Sequence, residues 1–299
     1  RTIYPLQGPL GLTAVRAVED LPVSRAGPLA LLIFSHGSGG TNTQSVLLME
    51  TLASHGFVVV SPEHTGNTND DFSDTLEDAG AKRVPDVSFM IDTFLARNDT
   101  QGDDFYQRLD ANTNGVLGHS FGGGTALGAI AGFYGVPPDE RVSAVMPISA
   151  TVFDRFTDEA LASVKEPVLF LGGTLDTSVP IENHDYGFDM LTGAERVYQA
   201  DIDGANHTHF ANVCDIGNWL IDNGIPQDLW ASIGAQALLA PYEDTCSPSA
   251  FPIDEVQRIQ NLYAVAFFRR HLLGETAYDY YLQDQYAQEN EPDVTYRSR

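Results

Sequence analysis

Ser120 sits in "GVLGHSFGGG" (115–124), flanked by Gly118 and Gly122 at the spacing Gly-x-Ser-x-Gly. Glycines so placed permit a sharp strand-to-helix turn that exposes the serine oxygen beside a helix N-terminus. A serine hydroxyl becomes a nucleophile when a histidine takes its proton and a carboxylate steadies the imidazolium that forms. "EPVLFLGGTLDTSVP" carries Asp176 in the loop after an apolar run, and "VYQADIDGANHTHF" carries His207 and His209 in the loop after the next. Asp176 and His207 are the first choices; Asp154 competes as acid and His209 as base. The developing oxyanion needs main-chain N–H donors. Phe121, directly after the serine, supplies one, and Ser38 in the glycine-rich "SHGSGG" (35–40) is the expected second. This chemistry is acyl transfer through serine, and no metal or cofactor is expected.

The surrounding elements must place these groups together. Apolar strand-like runs alternate with amphipathic helical stretches, the pattern of a mostly parallel sheet flanked by helices. "LALLIFSHG" reads as a strand entering a glycine-rich loop, "QSVLLMETLASHG" as a helix and "FVVVSPEH" as the next strand. "DVSFMIDTFLARN" is a helix with Val87, Met90, Ile91 and Phe94 on one face. "TNGVLGHS" enters the serine turn and "GGGTALGAIAGFYG" leaves it as a helix; three further strands and a long final helix, 253–274, follow. The order Ser, Asp, His is that of the α/β-hydrolase fold. His119 reads as a packed residue of the turn, while Phe121 and Phe210 are expected to give the pocket an apolar wall. Residues 65–83 read as an acidic surface loop, 213–250 as a partial lid, and 275–299 as a weakly ordered tail. "DANTNG" (110–115) resembles half of a calcium loop, but its twelfth position is Phe121, so it reads as a turn. Cation binding by the acidic stretch 67–78 is left undecided.

Several of these stretches resemble known families. "SHGSGG", "ASHGFVVVSPEH" and "GHSFGG" are similar to α/β hydrolases related to platelet-activating-factor acetylhydrolase and the broader dienelactone-hydrolase group. "LASHGFVVV", "GHSFGGG", "LDTSVP" and "DGANH" resemble bacterial cutinases and polyester hydrolases. Together the resemblances run over residues 29–273 and imply Ser120 as nucleophile. The cutinase-like stretches imply Asp176 and His207, and "HTHFAN" resembles the acetylhydrolase pattern His-x-x-Phe-Ala, again implying His207. The acetylhydrolase acid belongs where this chain has "PISAT", which offers no carboxylate. Cutinases place an aromatic in the first oxyanion loop and a Trp after the strand ending near 150; here those positions hold Ser38 and Ala150 or Thr151. No aromatic clamp is therefore expected.

The chain has 299 residues, long enough for one α/β domain spanning 1–299. Its 41 acidic and 16 basic residues give a formal charge of −25, which argues against nucleic acid or an anionic membrane as partner. No apolar run reaches membrane-spanning length. The first residue is Arg1 rather than Met, which fits removal of a leader. Cys214 and Cys246 are expected to pair in an oxidising compartment. The expected protein is a secreted, monomeric serine esterase acting on short neutral esters, its substrate a small-molecule or polymeric ester. Polyester or cutinase-like hydrolysis, a phospholipase A2-type acetylhydrolase, and amide or lactone hydrolysis are alternatives on the same three residues. A catalytically silent binding protein is the alternative outside enzymes.

Overall fold

The run "LALLIF" buries apolar residues on both sides of one strand: Leu32 and Phe34 face one way, Leu31 and Ile33 the other, and none is exposed. That is the pattern of a parallel strand covered by helices on each face. The computed structural model describes residues 3–5, 11–13 and 16–299, so the start of the expected 1–299 domain lies outside the described residues. A short antiparallel pair, β1 (Ile3–Pro5) and β2 (Gly11–Thr13), precedes the main sheet. Then come β3 (Leu29–Ser35), α1 (Val46–Ser54), β4 (Phe57–Val60), α2 (Leu76–Asp99), β5 (Leu109–His119) and α3 (Phe121–Ala131). The second half holds β6 (Val142–Ile148), α4 (Asp158–Ser163), β7 (Val168–Gly173), α5 (Glu182–Met190) and β8 (Val197–Ile202). It closes with α6 (Val213–Asp222), α7 (Leu239–Cys246), α8 (Ile253–His271), α9 (Asp284–Asn290) and β9 (Val294–Ser298).

The main sheet runs β4-β3-β5-β6-β7-β8-β9, parallel throughout except for the last pair. One face packs on α1 and α8 through Leu48, Leu52, Val256, Ile259 and Phe267. The other packs on α2 and α3 through Val84, Val87, Ile91, Ala126 and Leu127. Because the parallel strands share a direction, the loops after β3, β5, β7 and β8 meet at one edge. No helix among the described residues is long and apolar enough to cross a membrane.

Three stretches differ from the sequence reading. Residues 65–83 are not all loop, since α2 begins at Leu76. The Thr75 hydroxyl caps it by accepting the Asp78 N–H at 3.1 Å, and Glu77 and Asp78 suit its positive end. Pro85 lies inside α2 and removes one N–H, yet the helix continues because Arg83, Val84, Val87 and Ile91 are buried around it. Residues 110–115 belong to β5 rather than to a free turn, although the turn chemistry survives as a register shift beside Gly115. The tail is ordered: β9 pairs antiparallel with β8, from Val294 opposite Ile202 to Ser298 opposite Tyr198. Main-chain bonds to an available sheet edge order this strand, and side-chain periodicity gives no sign of them.

Candidate active site

Ser120 lies between β5 and α3 with φ 58° and ψ −121°, a strained conformation for a residue with a Cβ. Its N–H donates to Ile148 O at 2.8 Å, fixing the turn against the end of β6. The flanking glycines are required by contact: a methyl on Gly122 would overlap the Ser35 carbonyl, and one on Gly118 would overlap both Gly122 and Ser35. The loop after β3 is equally close, since a methyl on Gly37 would lie 3.4 Å from Ser120 Cβ.

The loops after β7 and β8 bring Asp176 and His207 together. Leu175 N–H donates to Ala205 O at 2.9 Å, tying the two loops, and His207 Nδ1 lies 2.7 Å from Asp176 Oδ2. Burial pushes the Asp176 carboxyl up, but the His207 bond and the Val179 N–H (2.7 Å) outweigh it and hold the carboxyl below its ordinary range. A carboxylate only accepts, so His207 Nδ1 carries hydrogen and Nε2 of the neutral ring keeps a lone pair. The His207 side chain is 18% exposed against 1% for Asp176, so the ring has one buried end and one that reaches solvent.

His119 links this pair to the serine turn. Its Nε2 bonds His207 O at 2.9 Å, and because a carbonyl only accepts, Nε2 bears the proton. Nδ1 then accepts from Gln44 Nε2 at 2.6 Å. Burial lowers His119 to about 3, so it stays neutral. The two competitors stand apart. His209 Nδ1 accepts from the Asn206 N–H (3.0 Å) and its Nε2 donates to Phe251 O (3.1 Å), leaving no lone pair for a serine. Asp154 is exposed beyond β6, and the bond to His207 Nδ1 comes from Asp176.

Within residues 37–40 one main-chain N–H is left open among the described residues. Gly37 N–H donates to Gln44 Oε1 (2.8 Å), Gly39 N–H to Asn67 O (3.2 Å) and Gly40 N–H to Gly37 O (3.1 Å). Neither Ser38 N–H nor Phe121 N–H is engaged. The sequence-predicted residues Ser38, Ser120, Phe121, Asp176 and His207 thus all lie at the same sheet edge, on its loops and turns or at the first residue of the helical turn that follows.

A family model for PETase, PET hydrolase-like proteins, matches residues 22–222. The chain belongs to this family. Cutinase 2 of Thermobifida cellulosilytica is 31% identical over 179 residues, covering 59% of each chain. Cutinase cut1 of Thermobifida fusca is also 31% identical over 179 residues, covering 59% of this chain and 48% of its own. A bis(hydroxyethyl) terephthalate hydrolase of Streptomyces coelicolor is 27% identical over 187 residues, covering 62% and 52%. The chain therefore spans only between 48% and 59% of the length of these relatives. The solved structure of a ferulic acid esterase from Streptomyces cinnamoneus superposes with a TM-score of 0.65 at 24% identity, over 91% of this chain and 74% of that one. The fold is that of the α/β hydrolases.

This PET hydrolase-like chain also uses residues that sequence reasoning passed over. Arg83 on α2 is fully buried and donates to Ser35 Oγ, His36 O, Gly37 O and Asn67 Oδ1. Burial draws its guanidinium down to about 9, with Asp86 acting to hold the charge, so it remains cationic at neutral pH. His64 bridges Ser35 Oγ (2.8 Å) and Asp86 Oδ2 (2.7 Å), bracing the same loop. A signal existed: Arg83, Val87 and Ile91 share one helical face, so an arginine stands on an apolar stripe. Phe121 and Phe210 do not wall an open pocket, because both are buried, Phe121 under Arg83 and Phe210 beside His119. The exposed apolar groups here are Leu175, next to Asp176, and Phe72, 65% exposed with its ring against Gly39. The segment read as a lid braces the His207 loop: Asn206 Nδ2 donates to Asp244 O at 3.1 Å, and the expected Cys214–Cys246 disulfide joins α6 to α7.

Proposed function

We propose that the chain is a serine carboxylester hydrolase that works through an acyl-enzyme. Ser120 Oγ attacks the ester carbonyl, and His207 Nε2 takes the hydroxyl proton while Asp176 holds Nδ1–H. The Ser38 and Phe121 N–H groups receive the oxyanion. As the tetrahedral species collapses, the carbon–oxygen bond to the alcohol breaks and His207 returns the proton to the leaving oxygen. Water then attacks the acyl-serine, giving its proton to His207; as the bond from the acyl carbon to Ser120 Oγ breaks, His207 passes that proton to Oγ and the acid departs. The observation that carries this reading is the 2.7 Å His207–Asp176 bond, anchored through His119 beside a strained serine. Membership of a hydrolase family supports it. The chain acts as one domain, since β9 completes the sheet that β3 and β4 begin. The disulfide supports an extracellular location.

Short neutral esters are the first substrate class, because a strongly acidic surface repels anionic ones. Phe72 favours a second reading, a cutinase-like action on aromatic or polymeric esters, because it restores an aromatic face beside the oxyanion loop from a different segment. Measuring kcat/KM for C2 to C12 p-nitrophenyl esters and for bis(hydroxyethyl) terephthalate separates the two. The first reading expects acetate and butyrate to lead. Faster turnover of the terephthalate diester than of butyrate would move the substrate class to the second. Ester hydrolysis that survives Ser120→Ala at near-normal rate would defeat both.

A further inference from the structure

Arg83 is a cation inside the protein that forms no ion pair among the described residues, its four acceptors all being uncharged. Asp86 acts on it through space but does not bond it, and a buried charge without a directly bonded counter-ion is costly, so its placement calls for a reason. Nη1 donates to His36 O at 2.6 Å and Nη2 to Gly37 O at 3.1 Å. Gly37 O also accepts from His36 Nδ1 (2.7 Å) and from Gly40 N–H (3.1 Å). Three donors therefore converge on the carbonyl of the Gly37–Ser38 peptide. In a trans peptide the N–H points away from the C=O, and here that N–H is Ser38's, the one unclaimed main-chain donor of residues 37–40 among the described residues.

Hydrogen bonds to a carbonyl pull electron density toward it and leave the N–H of the same peptide more positive. The guanidinium also lies over the Phe121 ring, 4.6 Å from its centroid, so it touches the residue that carries the other open N–H. We propose that Arg83 is a positioning residue for the oxyanion site: it locks the Gly37–Ser38 peptide with its N–H presented to substrate and polarises that N–H from behind. This rests on the serine-hydrolase reading above. Lysine can supply the charge but not the two-pronged grip on successive carbonyls.

The test compares wild type, Arg83→Met, Arg83→Lys and Ser120→Ala with p-nitrophenyl acetate, and measures inhibition by butylboronic acid, which forms a tetrahedral anion on a reactive serine. Arg83→Met is expected to lower kcat by about 10²-fold with KM within about threefold, on the scale of losing one oxyanion donor. The boronate Ki should rise by a factor matching the loss in kcat/KM, and Arg83→Lys should fall between Arg83→Met and wild type. Folding is checked by circular dichroism and Tm. If Arg83→Met does not fold, Arg83→Lys decides: a kcat lowered several-fold at constant KM supports the role, and wild-type kinetics overturn it. A folded Arg83→Met with near-normal kcat, or with reduced kcat and unchanged boronate affinity, also overturns it. Activity remaining in Ser120→Ala would instead remove the underlying reading, so the two failures are distinct.

Discussion

His207 and His209 are two residues apart, yet their ring nitrogens meet different partners. The Asp176 carboxylate orients His207 and leaves Nε2 free, whereas Asn206 N–H and Phe251 O occupy both nitrogens of His209. His207→Ala is expected to reduce kcat by on the order of 10³-fold or more. His209→Ala removes two loop bonds and is expected to cost stability, with kcat retained within about tenfold where the protein is folded. Steady-state kinetics paired with thermal melts read both quantities, and comparable kcat losses in the two variants would refute this division.

At the level of elements, the strand-to-helix turn depends on close backbone approach and α2 depends on its cap. Gly122→Ala would drive a methyl into the Ser35 carbonyl, so strand β3 must shift relative to α3. The expected result is loss of soluble folded protein or a Tm lowered by many degrees. Thr75→Ala removes an acceptor for the Asp78 N–H on an exposed first turn. It should cost about 1 kcal/mol in chemical denaturation, with activity little changed. A Gly122→Ala protein as stable as wild type would contradict the packing described for the turn.

For the molecule as a whole, buried neutral histidines set the response to acid. Burial draws His36 and His119 from 6.5 down to about 3 and His271 down to about 4. Above pH 6.5 these rings are neutral in folded and unfolded chains alike. Below it the unfolded chain takes up protons that the folded one refuses, so stability declines as pH falls toward 4 and 3. Asp176, held below its ordinary range, adds loss at the acid end of that window. Asp86, raised by burial to about 6, and Asp215, also raised by burial, act in the opposite sense as they protonate in the folded state first, but they are two groups against several. Calorimetry from pH 8 to 4 should show Tm starting to fall near pH 6.5, and a flat Tm down to pH 5 would refute the assignment. At pH 7 the formal charge of −25 predicts a higher Tm with added salt, through screening of self-repulsion.

The sequence by itself determined the order along the chain of the β3–β8 core strands and the loops that carry Ser120, Asp176 and the His207/His209 pair, because glycine spacing and uninterrupted apolar runs are local properties. Parallel strand direction then carries those loops to one edge whatever the details of packing. It also determined that Cys214 and Cys246 were candidates to pair, while their approach to bonding distance required α6 and α7 to be placed. At the level of sequence the preference for His207 over His209 rested on resemblance; physically it depends on which nitrogen faces a carboxylate from another strand. Arg83 was visible as a charge on an apolar face, but its targets lie 46 and 47 residues away, on a loop that only the packing of α2 against β3 brings near. The strand β9 was illegible for a similar reason: its order comes from main-chain pairing with β8, and that free edge exists only once the rest of the sheet has formed.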